Sequence, residues 1–349
     1  MISIGIRNLI NDKLRTAVAV LGVTFAVMLL TTEIGMLLGL VENASLLIDN
    51  SKADIWVMKV NVATFDFSSP IDRRNKHLIE SISGVDYVEE YNVAYGAWQL
   101  PEGGIANVLI VAFNQESELA APLRMTEGSI DSLHNQDTII IDNGERIKLG
   151  GVNIGDTVEV VDRRAKVVGF TQGMRSFTTT PYIFTSLRRG DKYSFLTTDS
   201  AGKPSSMYFL VKTTPGADVS AICADIEQSI DGLMALPRER FSWKTRKYWL
   251  IETGVGVGFI VGAFLGLLVG GVILSQSLYA MTLEKLPEFG VMKAMGATMY
   301  ELARPVLEQG LICGLFGLLI GLSVAFCLQR RSEERRVGNG CRSRWRPIQ

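Results

Sequence analysis

Three long apolar stretches constrain the fold of this chain more than any other feature of its sequence. A helix needs about 20 apolar residues to cross the roughly 30 Å hydrocarbon core of a bilayer, and each stretch is long enough. We therefore predict three transmembrane helices, the first of which is too long for a cleavable signal peptide. The stretches cover residues 17–41, 253–280 and 305–328.

Charge is distributed unevenly around these stretches. The chain combines a positive mean hydropathy of +0.22 with 20 % charged residues, because residues 42–247 have the composition of an ordinary folded domain. A net charge of −1 argues against a nucleic-acid partner. Four cysteines and two histidines leave little material for a metal centre, so we expect no metal site and no cofactor.

Basic residues beside the apolar stretches indicate the orientation of the chain. Arg7, Lys13 and Arg15 precede the first stretch, and the 281–304 loop carries three bases against three glutamates. Because positively charged flanks stay in the cytoplasm, we place the N-terminus and this loop there and the large domain in a periplasm-like space. Cys223 is the only cysteine of that domain, so no internal disulfide is expected there.

The large domain mixes strand and helix patterns. Apolar runs and alternations predict short strands, and helical spacing predicts helices over residues 72–83 and 218–230. A β-rich insert at about 115–204 interrupts this strand-helix-strand module, which gives an α+β domain. His77 and His134 have no metal-ligating neighbour at a suitable spacing, and no G-x-x-x-x-G-K-[ST] run occurs. We expect no catalytic residue, and ATP hydrolysis is not expected from this chain.

Glycines recur every four residues in the second apolar stretch and in pairs in the third. Helices in lipid gain no hydrophobic driving force by touching, so close approach over small residues is a main route to their association. We predict helix packing here, either within the chain or with a second copy; a general enrichment of glycine in membrane helices is the alternative interpretation. The predicted packing positions are Gly254, Gly258, Gly262, Gly266, Gly270, Gly310 and Gly314, and the pattern repeats at Gly317 and Gly321.

The second helix is predicted to be longer than the membrane is thick. Residues 253–280 alone span about 42 Å, and Tyr248 and Trp249 extend the helix outward with an aromatic pair at the interface. The first helix continues in the same way through residues 46–48. Both are expected to project as stalks, unless tilt absorbs the excess length. Glu33 lies either at the outer interface or inside the membrane.

The loop between the second and third spans contains a predicted short helix. Pro287 is suited to the first turn of that helix, and Gly296 is suited to end it. Phe289, Met292 and Met295 are predicted to share one face. Thr298 and Glu301 form a capping-box pattern for the next helix. Such a helix suits docking of a cytosolic partner, although a lipid-facing interfacial helix has the same composition.

Several runs resemble those of FtsX/MacB-type ABC permeases over nearly all of residues 1–329. EFGVMKAMGAT at 288–298 is similar to their E-x-G-[VI]-[LM]-[RK]-A-[IML]-G-A-[TS] signature. The N-terminal IRNLI and KLRTA runs resemble their amphipathic helix, and ADIWV and ISGVDYV resemble the start of their periplasmic core domain. RSFTTTPYIFTS at 175–186 is most similar to the DevC-like subgroup.

This resemblance implies a type VII ABC permease that works by mechanotransmission. Its implied partners are a second copy of the chain, separate ABC ATPase subunits, a periplasmic adaptor (membrane fusion protein), an outer-membrane channel and membrane lipid. The implied location is the inner membrane, with several spans and a large periplasmic domain. The implied ATPase-coupling residues are Pro287, Glu288, Phe289, Gly290, Met292, Lys293, Met295, Gly296 and Ala297.

Other functions remain open at this point. A hydrophobic or glycolipid-like substrate follows only by analogy with DevC-like relatives. An FtsX- or LolC-like protein that regulates cell-wall hydrolases or releases lipoproteins is the main alternative to an exporter. A membrane-tethered enzyme or sensor is a further class, but it requires catalytic residues or a signalling domain.

The resulting organisation is an α-helical transmembrane protein with a large α+β periplasmic domain, a porter-like module with a β-rich insert, and three of four expected transmembrane helices. The tail RSEERRVGNGCRSRWRPIQ resembles a translated sequencing adapter, and a basic cytoplasmic tail is the alternative. The predicted segments are an amphipathic cytoplasmic helix (1–16), transmembrane helix 1 (17–41), the periplasmic core (42–247), a stalk with transmembrane helix 2 (248–280), a coupling loop (281–304), transmembrane helix 3 (305–328) and a non-native tail (331–349).

Overall fold

The structure is a computed structural model that describes residues 4–120, 124–176, 178, 180–190, 192, 197–199 and 201–342. The chain divides into two compact units. We call residues 1–38 and 254–335 the membrane unit, and residues 39–253 with 336–349 the sheet unit. The helices are α1 (Ile4–Asn11), α2 (Lys13–Ala44), α3 (Leu46–Asp49), α4 (Asn75–Glu80), α5 (Leu187–Gly190), α6 (Val219–Ser229), α7 (Arg238–Lys247), α8 (Val255–Glu284), α9 (Leu286–Ala294) and α10 (Met299–Arg342).

Three of these helices are long and apolar enough to cross a membrane: α2, α8, and α10 as far as Leu328. Each has 30 to 32 residues in its candidate span, so the prediction of three helices able to cross a membrane is confirmed by length and composition. The predicted tail lies outside the described residues from 343 onward, and its earlier part continues α10.

The predicted amphipathic helix over residues 1–16 is wrong in its extent. The chain forms two helices there, α1 and α2, which separate at Asp12. Asp12 caps the second helix, because its carbonyl oxygen accepts from the N–H of Thr16 at 3.1 Å and its Oδ1 accepts from the N–H of Arg15 at 3.4 Å. A short acidic side chain satisfies free N–H groups at a helix start, which favours a new helix over continuation of the old one.

The predicted stalk, a single helix through residues 248–280, is also wrong. A π-helical turn occupies Tyr248–Glu252, and α8 begins only at Val255. Gly254 separates them with a φ of 74°, in the left-handed region that an α-helix does not use. The aromatic pair, Tyr248 and Trp249, therefore precedes the membrane helix in a separate turn that packs within the sheet unit.

The sheet unit is built around one large sheet. Its order is β12-β1-β11-β3-β4-β9-β6-β8-β5, with β7 pairing to β3 and β8 and with β2 and β10 forming a separate pair. The strands are β1 (Ile55–Lys59), β2 (Ile71–Asp72), β3 (Val85–Gln99), β4 (Ile105–Phe113), β5 (Met125–Glu127), β6 (Thr138–Asp142), β7 (Thr157–Val160), β8 (Arg163–Thr171), β9 (Tyr182–Ser186), β10 (Ser205–Ser206), β11 (Tyr208–Thr213) and β12 (Leu233–Pro237).

Two strand-helix-strand units interlock at one end of this sheet. β1, α4 and β3 form the first, and β11, α6 and β12 form the second, so the strand order β12-β1-β11-β3 is that of a split β-α-β fold. Strands β4 to β10 lie between the two units in the sequence, and β5 to β9 fall within the predicted insert at about 115–204. The predicted α+β fold with a β-rich insert is therefore confirmed.

Alternation along β1 explains how the sheet is covered on both faces. Ile55 and Val57 join the apolar cluster that includes residues of α4 and α6. Trp56 points to the opposite face and is fully buried. Its ring packs edge-on against Phe65, Tyr91 and Tyr208, with centroids 5.4–6.0 Å apart. It also packs against Phe241 of α7, which fixes α7 to this face.

A buried carboxyl group lies beside this aromatic cluster. Asp66 is 4 % exposed, and its Oδ2 accepts a hydrogen bond from Nε1 of Trp249 at 3.2 Å. Burial raises the pKa of Asp66 to about 6, because the loss of hydration outweighs the stabilisation of the charge by hydrogen bonds.

Truncating Trp56 is expected to destabilise the chain strongly. Trp56→Ala removes the ring that joins β1, β3, β11 and α7, and such a change in a core costs about 3–5 kcal/mol in the free energy of unfolding. Urea unfolding of the full chain in detergent, followed by circular dichroism, measures the loss. Trp243→Ala is the matched control, because Trp243 is 60 % exposed and its loss should cost no more than about 0.5 kcal/mol. Equal losses in the two variants would contradict this account of the core.

Replacing Asp66 by Asn is expected to change how stability depends on pH. The pKa of this acid is about 6 in the folded chain, above its ordinary 3.8, so the folded state holds the proton more tightly. Its contribution to the free energy of unfolding is therefore present below about pH 4 and is lost as the pH rises to about 6. The difference corresponds to roughly 3 kcal/mol.

Urea unfolding of both proteins at pH 4 and pH 7 tests this sign. Relative to wild type, Asp66→Asn should be more stable at pH 7 than at pH 4, by up to that amount. Parallel pH profiles would refute the assignment.

Candidate functional site

The short helix α9 is the clearest candidate site in the membrane unit. It follows α8 after Lys285 alone and has Pro287 in its first turn, as predicted. Lys285 closes the start of the helix, because its Nζ donates to Oε1 of Glu288 at 2.6 Å. The acidic side chain also lies at the positive end of the helix dipole.

The end of α9 is fixed by a Schellman motif. The N–H of Gly296 donates to the carbonyl of Lys293 at 3.0 Å, and the N–H of Ala297 donates to that of Met292 at 3.1 Å. Gly296 has a φ of 97°, which a residue with a side chain adopts only at a cost. The predicted glycine stop is confirmed.

The next helix begins at once with the predicted capping box. The N–H of Thr298 donates to Oε2 of Glu301 at 2.8 Å, and the N–H of Glu301 donates to Oγ1 of Thr298 at 3.4 Å. The corner between α9 and α10 is thus only Met295–Thr298, with hydrogen bonds on both sides of it.

The apolar side chains that are exposed at this corner are not the set predicted to share one face, Phe289, Met292 and Met295. Phe289 and Met292 are half-buried, whereas Met295 is 77 % exposed. The other large exposed apolar side chains near the corner are Val291, Met299 and Tyr300. A groove of ≈ 450 Å³ is lined by Met292, Met295, Gly296, Ala297 and Glu301.

An ion-pair network that the sequence did not indicate lies where α8 meets α9. Nη1 of Arg15 lies 3.3 Å from Oδ2 of Asp12 and 2.5 Å from Oε2 of Glu284. These residues join the start of α2 to the last residue of α8. The nearby charges of residues 12–15 were visible in the sequence, but a partner 269 positions away was not.

The predicted glycines divide into three groups in the structure. A Cβ atom at Gly262, Gly266 or Gly270 would meet Glu33, Leu29 or Ala26 of α2, so these three positions face that helix. Gly310 faces Leu278 of α8 in the same way. A Cβ atom at Gly258 or Gly314 would have no described atom within 4 Å. Gly254 is not part of a packed ridge, because its left-handed backbone places it before α8.

Further close approaches occur where α2 packs against the other long helices. Gly22 of α2 faces Ile273 of α8, and Gly317 and Gly321 of α10 face Val23 and Val27 of α2. Gly22 was not among the predicted positions, because no glycine lies four residues before or after it and no repeat therefore marks it.

The run at 175–186 is partly fixed by a buried carboxylate. Asp142 is fully buried and accepts from Nε of Arg175 at 3.2 Å and from the N–H of Met174 at 2.9 Å. A Cβ atom at Gly144 would meet the Arg175 guanidinium, which would have to shift to make room for a larger residue. Phe177 and Thr179 of this run lie outside the described residues.

Comparison with known proteins yields two family matches. The sequence matches the MacB-like periplasmic core domain over residues 16–229 and the FtsX-like permease C-terminal domain over residues 260–341. The second match overlaps the beginning of the tail that we predict to be non-native.

Individual relatives cover part of the chain. An uncharacterized ABC transporter permease of Methanocaldococcus jannaschii is 29 % identical over 184 residues, which are 51 % of this chain and 44 % of that protein. The match thus spans less than half the length of that curated relative.

Two solved structures are similar at low sequence identity. The periplasmic region of MacB from Actinobacillus actinomycetemcomitans has 9 % identity and a TM-score of 0.41, covering 56 % of this chain and 94 % of that one. The extracellular domain of the noncanonic ABC-type transporter YknZ from Gram-positive bacteria has 11 % identity and a TM-score of 0.37, covering 53 % and 98 %.

The MacB-like match covers more than half of the chain. The FtsX-like match covers most of the second part of the membrane unit, residues 254–335. The chain therefore belongs to the family of the MacB-like periplasmic core domain and is an ABC transporter permease of the MacB/FtsX type.

Proposed function

We propose that this chain is the permease subunit of an ABC exporter that carries ATPase-driven motion across the inner membrane to a periplasmic domain. Two copies of the chain pair with separate ATPase subunits, which hydrolyse the ATP. An adaptor and an outer-membrane channel complete the export path. Membership of the MacB/FtsX-type permeases supports this proposal.

The observation that carries the proposal is that α9 is joined to both neighbouring long helices by very short connections. One residue, Lys285, joins α9 to α8, and the hydrogen-bonded corner Met295–Thr298 joins it to α10. A flexible loop would absorb a displacement of α9, whereas these short connections pass the displacement to both long helices. The exposed Met295 and the groove beside it supply an apolar surface on which an ATPase subunit can dock.

The proposed substrate is hydrophobic or glycolipid-like. Residues 175–186 resemble the DevC-like subgroup, and that resemblance is the basis for this class of cargo. Asp142 holds Arg175 at the start of the run, so the segment has a defined attachment to β6 in the sheet unit.

Photo-crosslinking in cells tests the docking surface. A photoreactive residue replacing Met295 should capture an ABC ATPase, identified by mass spectrometry. The same residue replacing Glu102, an exposed position between β3 and β4, is the control and should not capture it. Failure of Met295 to capture an ATPase would overturn the proposal, and capture of a cell-wall hydrolase by the sheet unit would favour an FtsX-like role.

Replacing Gly296 by proline is expected to uncouple the permease from its ATPase. Proline fixes φ near −65° and has no N–H, so it removes both the left-handed turn and the hydrogen bond to Lys293. Stimulation of the ATPase in reconstituted complexes should fall about tenfold or more, corresponding to at least about 1.4 kcal/mol of coupling. Membrane insertion should be unchanged.

Gly103→Pro provides the matched control for this substitution. Gly103 lies in the turn between β3 and β4, has a φ of 88° and donates its N–H to the carbonyl of Leu100 at 3.0 Å, so the same change is made at a left-handed glycine outside α9 and its corner. Coupling should therefore be retained in this variant. Normal ATPase stimulation by the Gly296→Pro chain would show that the corner does not transmit motion.

A further inference from the structure

The two chain segments that lead into the sheet unit are tied to each other inside it. One enters at the end of α2 and continues into α3, and the other leaves through α7 and the π-helical turn. Nε of Arg246 in α7 donates to Oγ of Ser45 at 2.7 Å, and its Nη2 donates to Oδ2 of Asp49 at 2.6 Å. Oγ of Ser45 donates to the same carboxylate oxygen at 2.7 Å. We call Ser45, Asp49 and Arg246 the clamp.

The clamp differs from an isolated surface ion pair because its third member, Ser45, is buried. Ser45 is 1 % exposed, and the side chains of Arg246 and Asp49 are 30 % and 36 % exposed. Isolated surface pairs contribute little because water and salt screen them. Here one guanidinium holds two partners that also bind each other, so charge-assisted hydrogen bonds fix the geometry of all three.

Apolar packing places the two clamped segments on one support. Ile48 of α3 and Phe241 of α7 are both fully buried and belong to the same core cluster as Trp56. A displacement of either segment therefore acts on the same face of the sheet.

A second contact extends this attachment to the last turn before the membrane unit. Trp249 donates to the buried Asp66, and its ring lies 6.1 Å from that of Phe67. Tyr248 contacts the same two rings, with centroids 6.3 Å from Phe67 and 5.3 Å from Trp249. These contacts attach the turn at Tyr248–Glu252 to the sheet unit. At Gly254, by contrast, a Cβ atom would have no described atom within 4 Å.

We propose that Arg246 is a transmission residue that makes the two connecting segments move the sheet unit as one body. Without it, α3 and α7 respond separately to displacements of α2 and α8. This inference rests on the proposed function, because it assigns a route to the motion that the ATPase supplies. Arg246 positions the two segments and touches no substrate.

Charge reversal and charge exchange test the clamp. The variants are Arg246→Glu, Asp49→Arg and the double exchange, made in the full chain. Lys247→Glu is the matched control, since it makes the same charge change at the next residue, whose side chain is exposed.

The first measurement needs no ATPase. Hydrogen exchange of the chain in lipid nanodiscs should show residues 45–52 and 246–253 exchanging about tenfold faster in each single charge reversal. The double exchange should restore most of the protection, and Lys247→Glu should match wild type. Unchanged exchange in Arg246→Glu would overturn the clamp whatever the function of the chain.

The second measurement follows transmission. The native cysteines are replaced, and spin labels are placed at Glu102 in the sheet unit and Leu311 in the membrane unit. In a complex with the ABC ATPase captured at Met295, these labels should report an ATP-dependent distance change. Arg246→Glu should keep ATP hydrolysis within about twofold of wild type and lose the distance change, and the double exchange should recover it.

The outcomes separate the two claims. A distance change that survives in Arg246→Glu, or one that the double exchange fails to recover, would refute the role of Arg246 while the proposed function stands. No ATP-dependent change in the wild-type complex would refute the proposed function, and with it the transmission role.

Discussion

Close packing of α2 against the other two long helices determines how the membrane unit holds together. Lipid gives these helices no hydrophobic reason to associate, so their contact depends on how closely their backbones approach. Glycines of α8 and α10 meet side chains of α2, and Gly22 of α2 meets Ile273 in return. Larger residues at these positions would separate the helices, and α9 and its corner would then lose the support of the helices on either side.

Local sequence rules predicted the parts of the candidate site that depend on neighbouring residues. The turn at Gly296 and the capping box at Thr298 involve hydrogen bonds across three to five residues, so spacing alone was sufficient. The same reasoning failed at Trp249. An aromatic residue before an apolar run is typical of a membrane interface, but this indole donates to Asp66, which lies 183 positions earlier in the chain. No local pattern contains that partner.

In the fold as well, the features that depend on neighbouring residues were predicted and those that depend on distant residues were not. Strand alternation and short helical patterns predicted the α+β domain and its insert, because each strand carries its own burial pattern. The split β-α-β order required long-range pairing, in which β1 lies between β11 and β12 from the far end of the domain. The clamp depends on the same pairing, since Ser45 and Arg246 are 201 positions apart.

The break at Gly254 makes the two connections between the units mechanically unlike. Helix α2 passes without interruption from Lys13 to Ala44, so its hydrogen-bonded backbone resists bending along its whole length. The other connection changes conformation at Gly254, whose left-handed backbone follows the turn at Tyr248–Glu252 and whose carbonyl starts α8 by accepting from the N–H of Gly258 at 2.9 Å. Under the proposed function, a displacement of α8 therefore passes through one left-handed residue, whereas a displacement of α2 travels along continuous helix.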